Sequence, residues 1–527
     1  MGESITYKGG KLMSMTLGNL LNDTVFTDAA LPSATLPESE RCCVIRGLAL
    51  DSRRVKSGDL FFAYSGVLAD GRQYIAEAIG NGAVAVIVEE DESQEFNTSG
   101  FSVPIVSLTN VENAIGKIAA TFWGDASSNL TVVAVTGTNG KTSVTQMIAE
   151  SLGALGEKTA VIGTLGNGVF GQLQQTQHTT PNPLQLQELF ADFHQQNVSS
   201  VAVEASSHGL VQGRLTGTKI NVGVVTNISR DHLDYHGTMK SYQQAKANLV
   251  SWPGLQQIIL NADDPEVMAL SVYAREDVER ITFSSQSRVA TIYAEDVVFS
   301  HHGLTFTLVT PTGRSEIKNK LIGEFNVSNL LAVAAVLHCR RYDLAQIAHV
   351  LSLVSPVQGR MEDVGLVEGS GELPGVVVDF AHTPDALEKA LTALKPHCHG
   401  KLWCVFGCGG ERDKGKRPEM GAIAAKYADR MVITADNPRS ENVSDIIQDI
   451  ESGISIGAAY QVELDRSEAV RCAVMNAAND DLILLAGKGH ENYQDIGGKK
   501  YAYSDRDTAE KVLRERLHGS ISGGEQC

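Results

Sequence analysis

The segment TVVAVTGTNGKTSVTQMIAESL, residues 131–152, constrains the fold more than any other in the chain. Its β-branched apolar run predicts a buried strand, the stretch after it a helix, and the glycines between them a tight turn. In that setting backbone N–H groups and the helix dipole converge on one point, which suits anionic phosphate. Gly137 and Gly140 let the backbone close around phosphates, Lys141 brings a cation to the terminal ones, and the Thr142 hydroxyl can ligate magnesium. Val135 stands where the common phosphate loop has its first glycine, so the match is to a shorter variant. A GKT tripeptide alone carries little weight. A strand before it and a helix after it favour nucleotide binding over a fortuitous glycine turn.

At 527 residues the chain exceeds what one hydrophobic core organises, and three domains are expected. Hydrophobic residues make up 43% and charged residues 20%, with no apolar run long enough to span a bilayer, so no membrane insertion is expected. The opening MGESITYKGGKLMSM lacks the apolar stretch and small-residue cleavage site of a secretory signal, which predicts a cytoplasmic protein. The eight cysteines repeat no CxxC spacing that would clamp zinc and read as reduced thiols. A net charge of −18 argues against a broad footprint on nucleic acid. Small-molecule partners and a monomer are expected.

Along the chain, LALDSRR, GDLFFAYSG and AVAVIVEE alternate apolar runs with turn signals, suggesting a small mixed α/β domain over residues 1–112. Residues 113–357 place the runs 131–135, 160–163, 201–203, 222–225 and 258–260 between amphipathic stretches, the mark of a parallel sheet with crossover helices. A third, Rossmann-like domain is expected over 358–527, with strands near 376–378, 402–406, 431–434 and 482–485 and a helix at PDALEKALTAL. The tail HGSISGGEQC reads as frayed. In VAVEASSHGL, Glu204 ends a buried strand, where a carboxylate can face a ligand crevice and offer magnesium an oxygen. A solvated strand-end glutamate is the plain alternative on position alone.

TGTNGKTS resembles the ATP loop of the Mur ligases and their folylpolyglutamate synthase relatives, and further family-like motifs follow in order from Leu50 to Glu491. The resemblance implies ATP binding by Gly137, Thr138, Asn139, Gly140, Lys141, Thr142 and Ser143, with Asn326 and Asn329 of LIGEFNVSNLLAVAAV near adenine. A helix cap is the competing reading for those two asparagines. TNISRDHLDYHGTMKSYQQAKANL resembles the family segment in which a histidine, here His232, binds a second metal and a lysine, here Lys246, is carbamylated. Lys141, Glu204, His232 and Lys246 would then be the catalytic set, with Thr142, Glu204 and His232 as metal ligands. A carbamate would present anionic oxygens to the metal region where an ammonium would repel it. His236 fits a hydrogen-bonding role.

The same resemblance implies a UDP-muramoyl dipeptide substrate. Leu50, Ser52, Val67, Leu68 and Ala69 would hold its uridine end, and His178, Thr179, Thr180, Ser206, Gln212 and Arg214 its peptide. His178 departs from the asparagine of one form of this site. DNPR, Asp436–Asn437–Pro438–Arg439, resembles the signature of family members that add meso-diaminopimelate, whose second carboxylate a guanidinium can grip bidentately. Lysine offers only an ammonium, which Arg439 would repel. An Asn-Pro turn is the structural alternative, and both readings can hold. Arg412, Gly487 and Glu491 match positions around the amino acid, while Arg360, Asp379 and His382 match residues touching ATP phosphates. Overall the resemblance implies an ADP-forming amide ligase of peptidoglycan synthesis using ATP and magnesium. The competitors are a lysine-adding ligase, which lacks a partner for Arg439, a folylpolyglutamate-type enzyme, and a non-catalytic descendant.

Overall fold

The computed structural model describes residues 14–23, 36–66, 69–90, 100–176, 178–300, 303–357, 359–364 and 373–522. Its three main sheets are four, ten and six strands wide, and the expected α/β class is borne out. Among the described residues no helix is long and apolar enough to cross a membrane.

The first sheet runs in sequence order through Gly47–Ala49, Asp59–Ala63, Ala85–Glu89 and Ile105–Leu108, all parallel. Helix Val111–Phe122 packs Ile115, Ile118 and Phe122 onto Leu60, Phe62 and Ile87 of that sheet, so its core reaches beyond residue 112. Gly116 lies so close to the next unit that a Cβ there would meet the Thr216 carbonyl oxygen at 2.1 Å.

In the ten-stranded sheet, Thr131–Thr136 lies between Ser200–Glu204 and Val222–Val225, parallel to both. Both of its faces are covered, which is why Val132 to Val135 can all be apolar. Helix Phe325–Cys339 is buried all round because it sits among helices Lys141–Ala154 and Leu344–Leu353 and the strands Gln257–Asn261 and Glu279–Ser284. One part of this sheet was not anticipated. Strands Ile292–Ser300, Gly303–Thr310 and Gly313–Asn319 form an antiparallel meander at its edge, where no helix crossover is needed.

The third sheet has the order Glu362–Asp363, Gly375–Asp379, Leu482–Ala486, Leu402–Phe406, Arg430–Ile433, Tyr460–Val462, parallel except at the first pair. Its carboxyl edge therefore gathers the loops after residues 379, 406, 433 and 486. Helix Pro384–Leu394 coincides with PDALEKALTAL; it starts at a proline and is capped by the Thr383 hydroxyl on the Ala386 N–H. The last helix, Asp505–Ser522, runs into the tail that reads as frayed.

Two of the loop-bearing strands are tied by a buried ion pair. Arg466, 1% exposed, donates from Nε and Nη2 to both carboxylate oxygens of Asp505 at 2.8 and 2.7 Å. Its Nη1 and Nη2 also reach the carbonyls of Ala435 and Ala486 at 3.2 and 2.8 Å, just before the loops begin. Tyr503 adds a hydroxyl to Asp505 at 2.7 Å. Removing one partner strands a charge with no water to solvate it. Asp505→Ala is therefore expected to cost about 3–5 kcal/mol of third-domain stability, read as a lower urea midpoint; an unchanged midpoint would mean the pair contributes nothing.

Candidate functional site

The phosphate loop sits at the carboxyl end of strand Thr131–Thr136 and is pressed against the end of its neighbour, Val222–Val225. Gly137 has φ 149°, and a Cβ there would stand 1.9 Å from Thr226 Oγ1. Gly140, at φ 85°, would meet Asn329 Oδ1 at 2.9 Å. Only glycine fits either place. The turn is held by Thr226 Oγ1 donating to the Asn139 carbonyl at 2.6 Å, Asn139 N–H to Asn227 Oδ1 at 2.9 Å and Thr138 N–H to the Asn227 carbonyl at 2.8 Å. Lys141 Nζ donates to the carbonyls of Gly137 and Thr138, each at 2.9 Å. Enclosure by the surrounding protein lowers its pKa, while Glu204 and Asp231 oppose that shift. Ser143 follows on the same helix and lines the same cavity.

Glu204 is fully buried at the end of its strand, so the solvated-surface alternative fails. Burial raises its pKa, against the Thr164 N–H and the Lys141 charge that favour the anion. It accepts from Thr164 N–H at 2.8 Å and from the hydroxyls of Thr164 and Thr142, each at 3.0 Å. Gly163 makes room for it, since a Cβ there would lie 2.2 Å from Glu204 Oε1. Thr142 and Glu204 thus place a hydroxyl and a carboxylate together beside a phosphate loop. Magnesium takes few protein ligands when phosphates and water complete its shell, so this donor pair fits it. Among the described residues no group of three or more His, Cys, Asp or Glu side chains is arranged to hold a metal by itself.

Opposite the loop stands an aromatic and histidine cluster. His232, with φ 52°, keeps its Nε2 3.4 Å from Asp231 Oδ2, and the His208 ring packs edge-on against it with centroids 4.9 Å apart. Burial, then the neighbouring His232 and His236, push His208 down to about 4, so it is neutral near pH 7. His236 bonds Ser207 Oγ at 3.0 Å, consistent with the hydrogen-bonding role expected of it. Lys246 is 1% exposed, with its Nζ 4.3 Å from the Tyr242 ring centroid and no carboxylate paired to it among the described residues. Burial, reinforced by the Lys141 charge, pushes its pKa well below the usual lysine range.

The loop, Glu204, His208, Asp231, His232, Tyr242 and Lys246 line one cavity of about 460 Å³ with His178, Thr179, Thr180, Ser206 and Arg214. Thr180 Oγ1 donates to the Glu204 carbonyl at 2.7 Å, and the Thr179 and Thr164 hydroxyls share a hydrogen bond at 3.1 Å. Arg214 is braced by Gln212 Oε1 at 2.9 Å and the Thr180 carbonyl at 2.7 Å. The third domain contributes Arg360, Phe380 and His382 to the same cavity. Arg360 packs over the Phe380 ring at 4.7 Å, and its buried Nε has no hydrogen-bond partner among the described residues. Asp379 accepts the Met361 N–H at 2.7 Å behind it.

Other expected residues lie elsewhere. Ser52 donates to Glu77 Oε2 at 2.7 Å, Leu50 packs on the first sheet and Ala69 accepts the Gly66 N–H at 3.0 Å; none of these lines the cavity. Val67 and Leu68 fall outside the described residues. Asn326 and Asn329 are buried within helix Phe325–Cys339, whose N-cap is Glu324, so the capping alternative does not hold; Asn329 Nδ2 donates to Asn326 Oδ1 at 2.9 Å.

Arg412, Asp436–Arg439, Gly487 and Glu491 form a second cluster on the third sheet's carboxyl edge. Arg412 and Arg439 flank Gly409, where a Cβ would be 3.7 Å from Arg412 Cγ and 3.1 Å from Arg439 Nη1. The turn falls at the end of DNPR rather than across it, over Pro438–Glu441, where the Glu441 N–H bonds the Pro438 carbonyl at 3.0 Å. Hairpin Tyr493–Ile496/Lys499–Ala502 braces Arg439 through Arg439 N–H to the Asp495 carbonyl at 3.0 Å and Gly497 N–H to the Arg439 carbonyl at 2.7 Å. Gly487, at φ 110°, leaves room for Asp436, whose buried Oδ2 has no hydrogen-bond partner among the described residues. Asn437 Nδ2 donates to Glu491 Oε2 at 2.9 Å.

Sequence reasoning missed Asp231, His208, Asp385 and Lys488. The first two neighbour or share motifs with chosen residues, but only the fold turns them toward the loop. Asp385 Oδ2 accepts from Asn139 Nδ2 at 2.8 Å and Ser229 Oγ at 3.1 Å, joining the third domain to the phosphate loop.

Residues 44–123, 135–337 and 359–489 match, in turn, the Mur ligase family catalytic domain, the Mur ligase middle domain and the Mur ligase glutamate ligase domain. UDP-N-acetylmuramoyl-L-alanyl-D-glutamate--2,6-diaminopimelate ligase of Pseudomonas aeruginosa is 44% identical over 477 residues, 90% of this chain and 96% of that protein. The Coxiella burnetii ligase of the same name is 44% identical over 475 residues, 89% and 96% respectively. A solved structure of a ligase of that name superposes with a TM-score of 0.69 at 34% identity, covering 96% of this chain and 100% of its own. MurF of Thermotoga maritima in complex with ADP shares the fold at a TM-score of 0.60 and 18% identity, over 90% and 98% of the two chains. With all three domains matched in order and close relatives aligned over nearly its whole length, this chain belongs to the Mur ligase family.

Proposed function

We propose that the chain is an ATP-dependent, ADP-forming ligase that joins meso-diaminopimelate to the D-glutamate of UDP-N-acetylmuramoyl-L-alanyl-D-glutamate. It would act as a monomer in the cytoplasm, in peptidoglycan precursor synthesis. The observation that carries this reading is the pairing of Arg412 and Arg439 across Gly409, beside Asn437 and Glu491. Two guanidinium groups suit a substrate with two carboxylates, and the adjacent Glu491 suits its ammonium. The names of the aligned relatives carry the same two substrates.

The chemistry is assigned as follows. The D-glutamate carboxylate attacks the ATP γ-phosphate, the bond to ADP breaks, and an acyl phosphate forms. The amine of diaminopimelate then attacks the acyl carbon and inorganic phosphate leaves. Lys141 and the loop N–H groups bind the phosphates, and Arg360 approaches them from the third domain. Thr142 and Glu204 would hold magnesium and His232 would hold a second metal ion, which together would neutralise the phosphate charge. Thr179, Thr180, Ser206 and Arg214 hold the peptide near the loop, and His178 stands at its rim; Leu50, Ser52 and the segment around Ala69 hold the uridine end. The third domain covers the cavity and keeps water from the acyl phosphate. Lys246 becomes N6-carboxylysine: its buried, unpaired nitrogen favours the neutral amine, which adds carbon dioxide and releases a proton, leaving an anionic carbamate facing Lys141.

Phosphate release from ATP with the UDP-muramoyl dipeptide and saturating magnesium tests the assignment. Turnover with meso-diaminopimelate and little with L-lysine is expected; preference for lysine would overturn the Arg439 selector, and no turnover with either would make the chain a non-catalytic relative. Arg439→Ala is expected to raise the KM for meso-diaminopimelate by about tenfold or more and leave the KM for ATP nearly unchanged, as loss of a bidentate carboxylate contact should. Equal losses in both would refute its role. Lys246→Ala should lose most activity and regain part of it with a short carboxylate such as acetate or propionate. A fully active variant would exclude carbamylation from the mechanism.

A further inference from the structure

Lys488 links the two loops on which the amino-acid assignment rests, yet no part of that assignment uses it. Its side chain is fully buried, at 0% exposure, and its ammonium donates to Asn437 Oδ1 at 2.8 Å and to Glu491 Oε2 at 2.7 Å. The Tyr493 ring covers it at 5.3 Å. An ammonium withdrawn from water persists only where such acceptors replace its hydration.

The bonds around it fix two other groups. Asn437 Oδ1 also accepts the Asp495 N–H at 2.9 Å, so both donors meet the oxygen of this amide and its Nδ2 must turn to Glu491 Oε2, 2.9 Å away. An amide flip would set an NH2 group against two donors. Glu491 Oε2 thus receives two hydrogen bonds, while Oε1 receives none among the described residues. One oxygen is committed to the protein and the other is left as an acceptor. The same contact pairs the Lys488 ammonium with the Glu491 carboxylate, Nζ to Oε2 at 2.7 Å.

We propose that Lys488 is a positioning residue for the incoming amino acid: it locks the Asn437 amide and one oxygen of Glu491, leaving the second Glu491 oxygen to receive a substrate ammonium. This deepens the reading of Asn437 and Glu491 as amino-acid ligands and rests on it. Lys488 itself touches no substrate. The competing role is purely structural, a tie between loops 436–439 and 487–491 that matters for stability alone.

The test uses the full chain and steady-state kinetics with meso-diaminopimelate and ATP varied in turn, for wild type, Lys488→Met and Lys488→Arg. Wild-type turnover with meso-diaminopimelate is the control: its absence would sink the underlying reading, whereas the variants decide the positioning role once it is present. Lys488→Met is expected to raise the KM for the amino acid by about tenfold or more and to move the KM for ATP by less than about twofold, since the lost contacts are charge-assisted and lie only at the amino-acid loops. Lys488→Arg keeps the charge but displaces the donors, so it should show the same split at smaller size. Parallel changes in both KM values, or a lowered melting temperature with both KM values unchanged, would overturn the proposal. Should the Met variant fail to fold, an Arg variant with wild-type KM for both substrates would overturn it as well.

Discussion

Everything in the central domain is arranged around how closely one backbone turn can approach the end of the next strand. The 1.9 Å gap between Thr226 Oγ1 and a notional Cβ at residue 137 means that the turn exists only because that residue is glycine. Given that approach, Thr226 can reach the Asn139 carbonyl and Asn227 the Asn139 N–H, and together they fix the backbone of the turn. The strand on the other side then brings Glu204 to the same edge, and Gly163 gives its carboxylate space. Steric permission at two glycines thus decides where a buried charge can stand, and the charge decides what the crevice can bind.

The third domain solves a different problem, which is to hold several loops in register at an open sheet edge. Loops at strand ends are mobile unless something fixes their first residues. Arg466 does this from within the core by taking the carbonyls of Ala435 and Ala486, and the hairpin over Arg439 does it from outside. The loops that carry Asp436–Arg439 and Gly487–Glu491 are therefore held at their bases by rigid elements.

What the sequence made legible follows from how local each cause is. The strand–turn–helix around Gly137 and the helix at Pro384 could be read because glycine conformation, capping and apolar periodicity act over a few residues. Glu204 could be placed at a strand end, but its complete burial could not be foreseen, since that depends on Gly163 and Thr164 of another strand. Lys488 lies between Gly487 and Glu491 in sequence, but a lysine is ordinarily exposed, and only the fold shows it enclosed by Asn437, Glu491 and Tyr493. The antiparallel strands from Ile292 to Asn319 went unread because their pairing, not their composition, sets them apart from the parallel sheet. The roles of Arg412 and Arg439 came from family resemblance, and their approach across Gly409 came from tertiary structure.

Asp385 is a single carboxylate bonded at once to its own helix through Lys389, to Ser229 and to Asn139 of the phosphate turn. That contact ties the phosphate turn to the seat of the third domain, so what steadies one bears on the other, and any coupling between them runs equally in both directions. Such reciprocity needs no moving relay between the distant ends of the molecule. One shared acceptor is enough for each side to register what the other holds.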